Sequence, residues 1–274
     1  MKKLFICLLA LISTTATLAQ NNTTGSLKEP AISSRSSVLI IPFEAKMYIS
    51  DIDRDLAQNH QMNFQEIKAK FRAALDREVF IALKNYYNPL SFYSIPPNES
   101  IKELGYIYNS IGYKYELVPE EVVVKKENVG TKLIGKFKKK KKEEEYIEAG
   151  IQGGQVVSQV DNREKYMKTT LVNEKLLPSL NSKFSASHYI FINQLDIKRG
   201  ADMRYAASDE GYKREIKVHY TIFDNLGKEL SSGAIKSRFS SNENDIDKII
   251  RVQFPLIAER IVKNLIGPDA SEVE

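Results

Sequence analysis

The sequence predicts an α/β protein: a single three-layer-like domain whose mixed sheet ends in an antiparallel C-terminal meander and is flanked by long helices. Three observations predict it. Residues 38–43, Val-Leu-Ile-Ile-Pro-Phe, form a continuous apolar run ended by a proline, the pattern of a strand buried on both faces. Two long stretches, near 64–83 and 245–266, repeat apolar residues at three- and four-residue steps, which line one face of a helix. Residues 188–239 hold three strand-like runs, and the second of them alternates apolar and polar residues, as a strand with two different faces requires. Strands interleaved with helices, followed by strands in succession, give an α/β layout closed by a local meander.

The chain opens before that domain. Lys2 and Lys3 precede a short apolar core at 4–12, and Thr17 and Ala19 stand at the −3 and −1 positions of a small-residue cleavage site. This is the pattern of a secretory signal peptide over 1–19, cleaved near Ala19, and its core is too short to hold a span across a hydrocarbon layer about 30 Å thick. The expected location is the periplasm or the medium. Cys7, the one cysteine, lies inside that core, so the mature chain has no disulfide, thiolate metal site or cysteine nucleophile. It also comes too early, and after Ile6, to be an acylated lipoprotein cysteine. Residues 20–37 are rich in Ser, Thr and Asn and read as a disordered leader. Two of the five net positive charges belong to Lys2 and Lys3, and a composition 42% hydrophobic and 27% charged is that of an ordinary globular domain. The domain is expected over 38–268, with a polar tail at 269–274.

After the first strand, Phe64, Ile67, Phe71, Leu75, Val79 and Leu83 form the stripe of a helix. Asn63 caps it, with Glu66 completing a capping box. Residues 90–95 read as a second strand, Pro96-Pro97-Asn98 as a turn, and 100–110 as a helix with Ile101, Leu104, Ile107 and Tyr108 on one side. Residues 113–165 read as a charged excursion from the core, a hairpin with a mobile tip. A helical pattern resumes over 171–180, interrupted by Pro178. Residues 188–198 are a strongly apolar strand. In 213–223, Ile216, Val218, Tyr220 and Ile222 face one way and Lys217, His219 and Thr221 the other. Asp224-Asn225-Leu226-Gly227 is a tight turn with glycine at a positive-φ position, and 229–239 returns as the paired strand. The last helix carries Ile246, Ile249, Ile250, Ile257, Ile261 and Leu265 on its stripe, is kinked by Pro255, and stops at Gly267-Pro268.

Chemistry-bearing residues are sparse. Asp51, Asp53 and Asp55 alternate as hard-cation ligands do. A calcium loop starting at Asp51 needs glycine at its sixth position and glutamate at its twelfth; Leu56 and Met62 stand there. The better account is a helix start capped by Ser50 with Asp53 completing a capping box; these three aspartates remain weak metal candidates. Lys138, Lys139, Lys140, Lys141 and Lys142, with Lys132 and Lys136 before them and Glu143, Glu144 and Glu145 after, make a basic run. It suits an anionic membrane surface or lipopolysaccharide, while the adjacent glutamates make a solvated hairpin tip or short exposed helix the better reading; with only Phe137 near for stacking, and an export signal in front, nucleic acid is not an expected partner. His60, His188 and His219 have no zinc-site spacing and read as structural or solvent-facing. Gly150, Gly153 and Gly154 lack the Lys-Ser/Thr of a phosphate loop. There is no nucleophile elbow and no His-Glu-x-x-His. Tyr106, Tyr108, Tyr113 and Tyr115 read as packing under a loop. No motif calls for a cofactor.

The segment from Ile41 to Asp53 (IPFEAKMYISDID), together with Arg163-Glu164-Lys165-Tyr166-Met167 and Tyr189-Ile190-Phe191-Ile192-Asn193-Gln194, resembles an uncharacterised family of exported proteins from Bacteroidetes. That resemblance implies location and lineage and no activity. In layout the chain is also similar to periplasmic α/β domains of envelope-assembly proteins: the TolB N-terminal domain, the curli-secretion lipoprotein, and lipoprotein activators of penicillin-binding proteins. This second likeness implies a non-enzymatic module that binds another envelope component, although the acylated cysteine of the lipoprotein members is missing. The expected binding surface is the loop 44–55, with Lys46, Tyr48, Asp51 and Asp53, because sites in α/β sheets lie beyond the carboxyl ends of strands, or the lysine run 138–142. The alternatives are a metal-dependent binder or enzyme at Asp51, Asp53 and Asp55, and membrane-surface binding through the lysines.

Overall fold

Pro42 sets the plan of the sheet. In the computed structural model, which describes residues 35–118, 150–152, 155–157, 163–200 and 213–267, β1 (Ser37–Ile41) pairs in parallel with β3 (Asn88–Ser91) on one side and with β8 (His188–Arg199) on the other. A proline has no N–H to give the ladder, and pairing ends there. The chain bows out through a 3-10 turn at Ala45–Met47 and returns to the same edge of β8 as β2 (Tyr48–Ser50), matching Tyr48 to Leu195 and Ser50 to Ile197. Part of the 44–55 loop is therefore a strand of the sheet.

The meander follows as expected. β8, β9 (Lys213–Asp224) and β10 (Glu229–Ser240) run antiparallel, giving the order β10-β9-β8-β1-β3, with β2 on β8. At the β9–β10 turn Gly227 has φ +82°, and Asp224 Oδ1 accepts the N–H groups of Leu226 and Lys228. The register of β8 against β9 shifts between Ile192 and Gln194. This bulge inverts the side-chain parity, so Ile190 and Ile192 before it and Leu195 and Ile197 after it enter the same core.

Helices cover both faces, which makes three layers. α1 (Asp53–His60), α2 (Phe64–Leu83) and α5 (Ile246–Ile266) lie on the face of Val38, Ile40, Ile216, Val218 and Ile222. α3 (Pro97–Ser110) and α4 (Leu176–Phe184) pack on the opposite face with Leu39, Ile41, Tyr189, Phe191 and Phe223. Each fully buried Ile, Leu or Phe contributes about 1.5–3 kcal/mol, so the period-2 pattern of the strands decides which layer each residue joins. Asn63 caps α2 with a complete capping box through Glu66. Phe64 is 55% exposed and leaves the predicted stripe, and so does Ile101 of α3, 69% exposed. All six predicted stripe residues of α5 are buried, Asp245 caps it, and the helix continues through Pro255 to Gly267 at φ +81°.

Four boundaries differ from the sequence pattern. The second strand is Asn88–Ser91, with a 3-10 turn at Phe92–Ser94 instead of a strand through residue 95. The expected helix over 171–180 is replaced by the end of β7 (Lys165–Leu171) and by α4, in whose first turn Pro178 sits; a missing N–H costs nothing there. Ser50 does not cap α1. Ile52 holds the N-cap without a side-chain bond, and Ser50 Oγ accepts the Ile52 N–H instead. The excursion at 113–165 rises from a paired stem: β4 (Ile111–Leu117) runs antiparallel to β7 from Ile111↔Leu171 to Leu117↔Lys165. Within it, β5 (Gly150–Gln152) pairs β6 (Gln155–Val157). Residues 119–149, with Lys138, Lys139, Lys140, Lys141 and Lys142, lie outside the described residues, as do the predicted signal peptide, the leader to residue 34 and the tail. No helix among the described residues is long and apolar enough to cross a membrane.

Candidate functional site

The loop 44–55 begins at a topological switch point. β1 lies between β3 and β8; α2 covers one face of it, and α3 and α4 cover the other. In open α/β sheets the crevice beyond such a strand end is the usual ligand position. Here the protein fills it. Arg72 of α2 donates from Nε to the Phe43 carbonyl at 2.6 Å and from Nη2 to Tyr108 Oη at 2.8 Å, while the Tyr108 hydroxyl of α3 donates to the Pro42 carbonyl at 2.7 Å. Burial pushes the Tyr108 hydroxyl up to about 12, so it stays a donor. Tyr108 and Tyr113 pack against the core, as their reading as packing residues expects, whereas Tyr106 and Tyr115 are exposed.

The three aspartates are separately engaged. Tyr48 Oη donates to Asp53 Oδ1 at 2.6 Å, and burial with this carboxylate raises the tyrosine pKa far above its usual value. Asp55 is clamped by Arg199, and by Arg214 at 2.7 Å. Asp51 accepts the Arg199 backbone N–H at 3.4 Å. Arg214 is almost fully buried and also donates to the Glu243 carbonyl and to Asn244 Oδ1. These carboxylates hold β2, α1 and the ends of β8 and β9 together. Among the described residues no group of three or more His, Cys, Asp or Glu is arranged to hold a metal. Lys46 is exposed and pairs with Glu44.

The most elaborate polar construction is the seat of the β4–β7 ribbon. In the β4–β7 register, Val118 N–H donates to the Glu164 carbonyl and Val172 N–H to that of Ser110. Residues 165, 167 and 169 therefore turn their backbone groups away from β4. Side chains of the main sheet meet each of them. Lys217 Nζ donates to the Lys165 carbonyl at 2.6 Å. Met167 N–H donates to His219 Nδ1 at 2.7 Å, and the Met167 carbonyl accepts from Asn193 Nδ2 at 2.8 Å. Thr169 N–H donates to Thr221 Oγ1 at 3.0 Å, and Thr169 Oγ1 to Asn193 Oδ1 at 2.6 Å. The alternating row Lys217, His219, Thr221 is thus no solvent face. His219 is 1% and Thr221 0% exposed, and the row reads the free edge of β7 as a neighbouring strand would.

His219 is fixed in one role. Its Nδ1 accepts, so Nε2 carries the proton and faces Asp196 Oδ2 at 3.2 Å. Burial lowers its pKa, against the opposing pull of Asp196. With both ring nitrogens engaged, the Asp–His pair is structural and has no free base to offer. Ion pairs rim the seat: Lys168 meets Glu229 at 2.6 Å and Glu116 at 3.3 Å, and Glu164 joins Lys217 and Lys236. Glu116, hydrogen-bonded by Lys114, is held down to about 2. His60 is also structural, accepting the Ile246 N–H at the start of α5, and the His188 ring meets Tyr87 edge-on.

Compared with known proteins, the chain matches no family model and no curated protein.

Proposed function

We propose that the protein is an exported, non-enzymatic module of the cell envelope that binds another envelope component, and that the binding element is the 119–163 excursion with its lysines at 138–142. The observation that carries this reading is the seat of its stem. A two-stranded ribbon gains little stability by itself. This one is bonded edge-on to the sheet by Lys217, His219, Thr221 and Asn193, and a ribbon so mounted holds an insertion at a defined place on the domain. The signal-peptide pattern and the likeness to envelope-assembly domains point to the same compartment and class of partner.

The test follows from the stem's geometry. Val118 N–H and the Glu164 carbonyl are one hydrogen bond apart at 2.9 Å, so an Asn-Gly turn can replace 119–163 and close the ribbon. The shortened protein is expected to melt as the full chain does, and to lose the envelope proteins that the tagged full chain captures from its native cells. Undiminished capture by the shortened protein removes this assignment. Capture of no protein, with salt-sensitive binding of the full chain to anionic vesicles, replaces a protein partner by a membrane surface.

A further inference from the structure

Beside the edge strand β3, where α2 passes the start of α5, the protein holds a recess of about 410 Å³. It has an apolar wall of Ala73, Phe80 and Ile250, the exposed Lys70–Asp247 ion pair, Arg77 paired with Glu78, and Asp76, Ser91 and Tyr93 as its polar lining. The volume is that of a small-molecule site. Asp76 is out of place in such surroundings unless something answers it. It is 3% exposed. Its Oδ2 accepts from the Ser91 hydroxyl, whose oxygen is itself held by the Tyr93 N–H, while Oδ1 is buried without a hydrogen-bond partner. Arg72, whose charge acts on it, sends its donors to the Phe43 carbonyl, Tyr93 and Tyr108. A buried carboxylate oxygen left without a donor is uncommon and costly.

We propose that this recess binds a small primary amine, whose ammonium group pairs with the Asp76 carboxylate, the side chain turning toward the recess to present Oδ1, which is closed to solvent as it stands, and whose hydrocarbon part lies on Ala73, Phe80 and Ile250. An ammonium supplies the donor that Asp76 Oδ1 lacks and adds a positive charge to that of Arg72. A neutral alcohol supplies only the donor, and a carboxylate meets the charge of Asp76. Tyr93, 49% exposed, lines the recess, and the Arg72 guanidinium lies over its ring at 5.9 Å. The site is separate from the excursion and does not depend on the binding role given to it.

The experiment is an amide NMR titration of the full chain at pH 8 with benzylamine, benzyl alcohol and benzoate. Benzylamine is expected to give saturable shifts at residues 73–80 and 91–94, and to bind at least about tenfold more tightly than the other two, the worth of one charge-assisted hydrogen bond. Asp76→Asn keeps the side-chain volume and the Ser91 contact and is expected to weaken benzylamine by about tenfold or more. Ala73→Leu, which keeps the carboxylate and fills the recess, should weaken it as well, so the test survives if the Asn variant fails to fold. No saturable shifts with benzylamine, equal binding of the three compounds, or unchanged binding in Ala73→Leu would overturn the proposal.

Discussion

Asp76→Asn should change how stability depends on pH, in a direction the structure dictates. Burial raises the Asp76 carboxyl from 3.8 to about 7, against the Ser91 hydrogen bond and the Arg72 charge, which pull it down. Between those values the folded protein keeps a proton that the unfolded chain releases. The contribution of Asp76 to stability is therefore intact below about pH 4, falls as pH rises to about 7, and is constant above. The slope is about 1.4 kcal/mol per pH unit, so the wild type carries a penalty of up to roughly 4 kcal/mol at pH 7.5 that an uncharged asparagine does not. Urea unfolding of both proteins, followed by circular dichroism at pH 4.5, 5.5, 6.5 and 7.5, gives the difference in unfolding free energy. That difference should move in favour of the variant by about 1.4 kcal/mol per unit and level off near pH 7. Taking the difference cancels titrations the two proteins share. Parallel curves over the whole range would show that Asp76 titrates like a solvated carboxyl and would refute the account of its burial.

Other perturbations test the clamps and the ribbon. His219→Leu removes the acceptor for the Met167 N–H and should cost about 1–3 kcal/mol at pH 7.5 by urea unfolding. Because the folded-state pKa of His219 is lowered, the wild type loses this stability as pH falls below about 6.5, and the gap to the variant should narrow there. Arg214→Met leaves Asp55 to Arg199 alone and strips donors from Asn244 and the Glu243 carbonyl; the lost charged hydrogen bonds should cost about 1.5–3 kcal/mol in the same assay. Calcium or magnesium at millimolar concentration should leave the thermal midpoint unchanged, since Asp51, Asp53 and Asp55 each have a partner. A rise in the midpoint would show a cation bound to the folded state.

Much of the fold is legible in the sequence, and the misses have physical causes. α2, α5 and the meander announce themselves because one side of each meets a single apolar layer, so period and burial coincide. β7 hides because Lys165–Leu171 buries Tyr166, Met167 and Thr169, and Thr169 is buried for its hydrogen bonds rather than its hydrophobicity. Pro178 reads as a helix breaker and sits where a helix tolerates proline. The row Lys217, His219, Thr221 is visible as an alternation, but only the register of β7 reveals that its counterpart is a strand edge. Asp76 gives no signal: it adjoins the Leu75 stripe of α2 and is buried because β3 and its 3-10 turn close over that flank. The aspartates at 51, 53 and 55 are correctly noticed as a cluster of charge, and their arginine partners, Arg199 and Arg214, lie some 150 residues further on.

The most direct test of the binding role is photo-crosslinking in native cells, with a photoreactive residue placed at Lys140 in one protein and at Lys228, in the β9–β10 turn, in another. Position 140 is expected to give a reproducible set of envelope adducts, and position 228 few or none. Adducts from 228 alone, or the same set from both positions, would contradict the claim that the ribbon-mounted excursion is the surface that meets the partner.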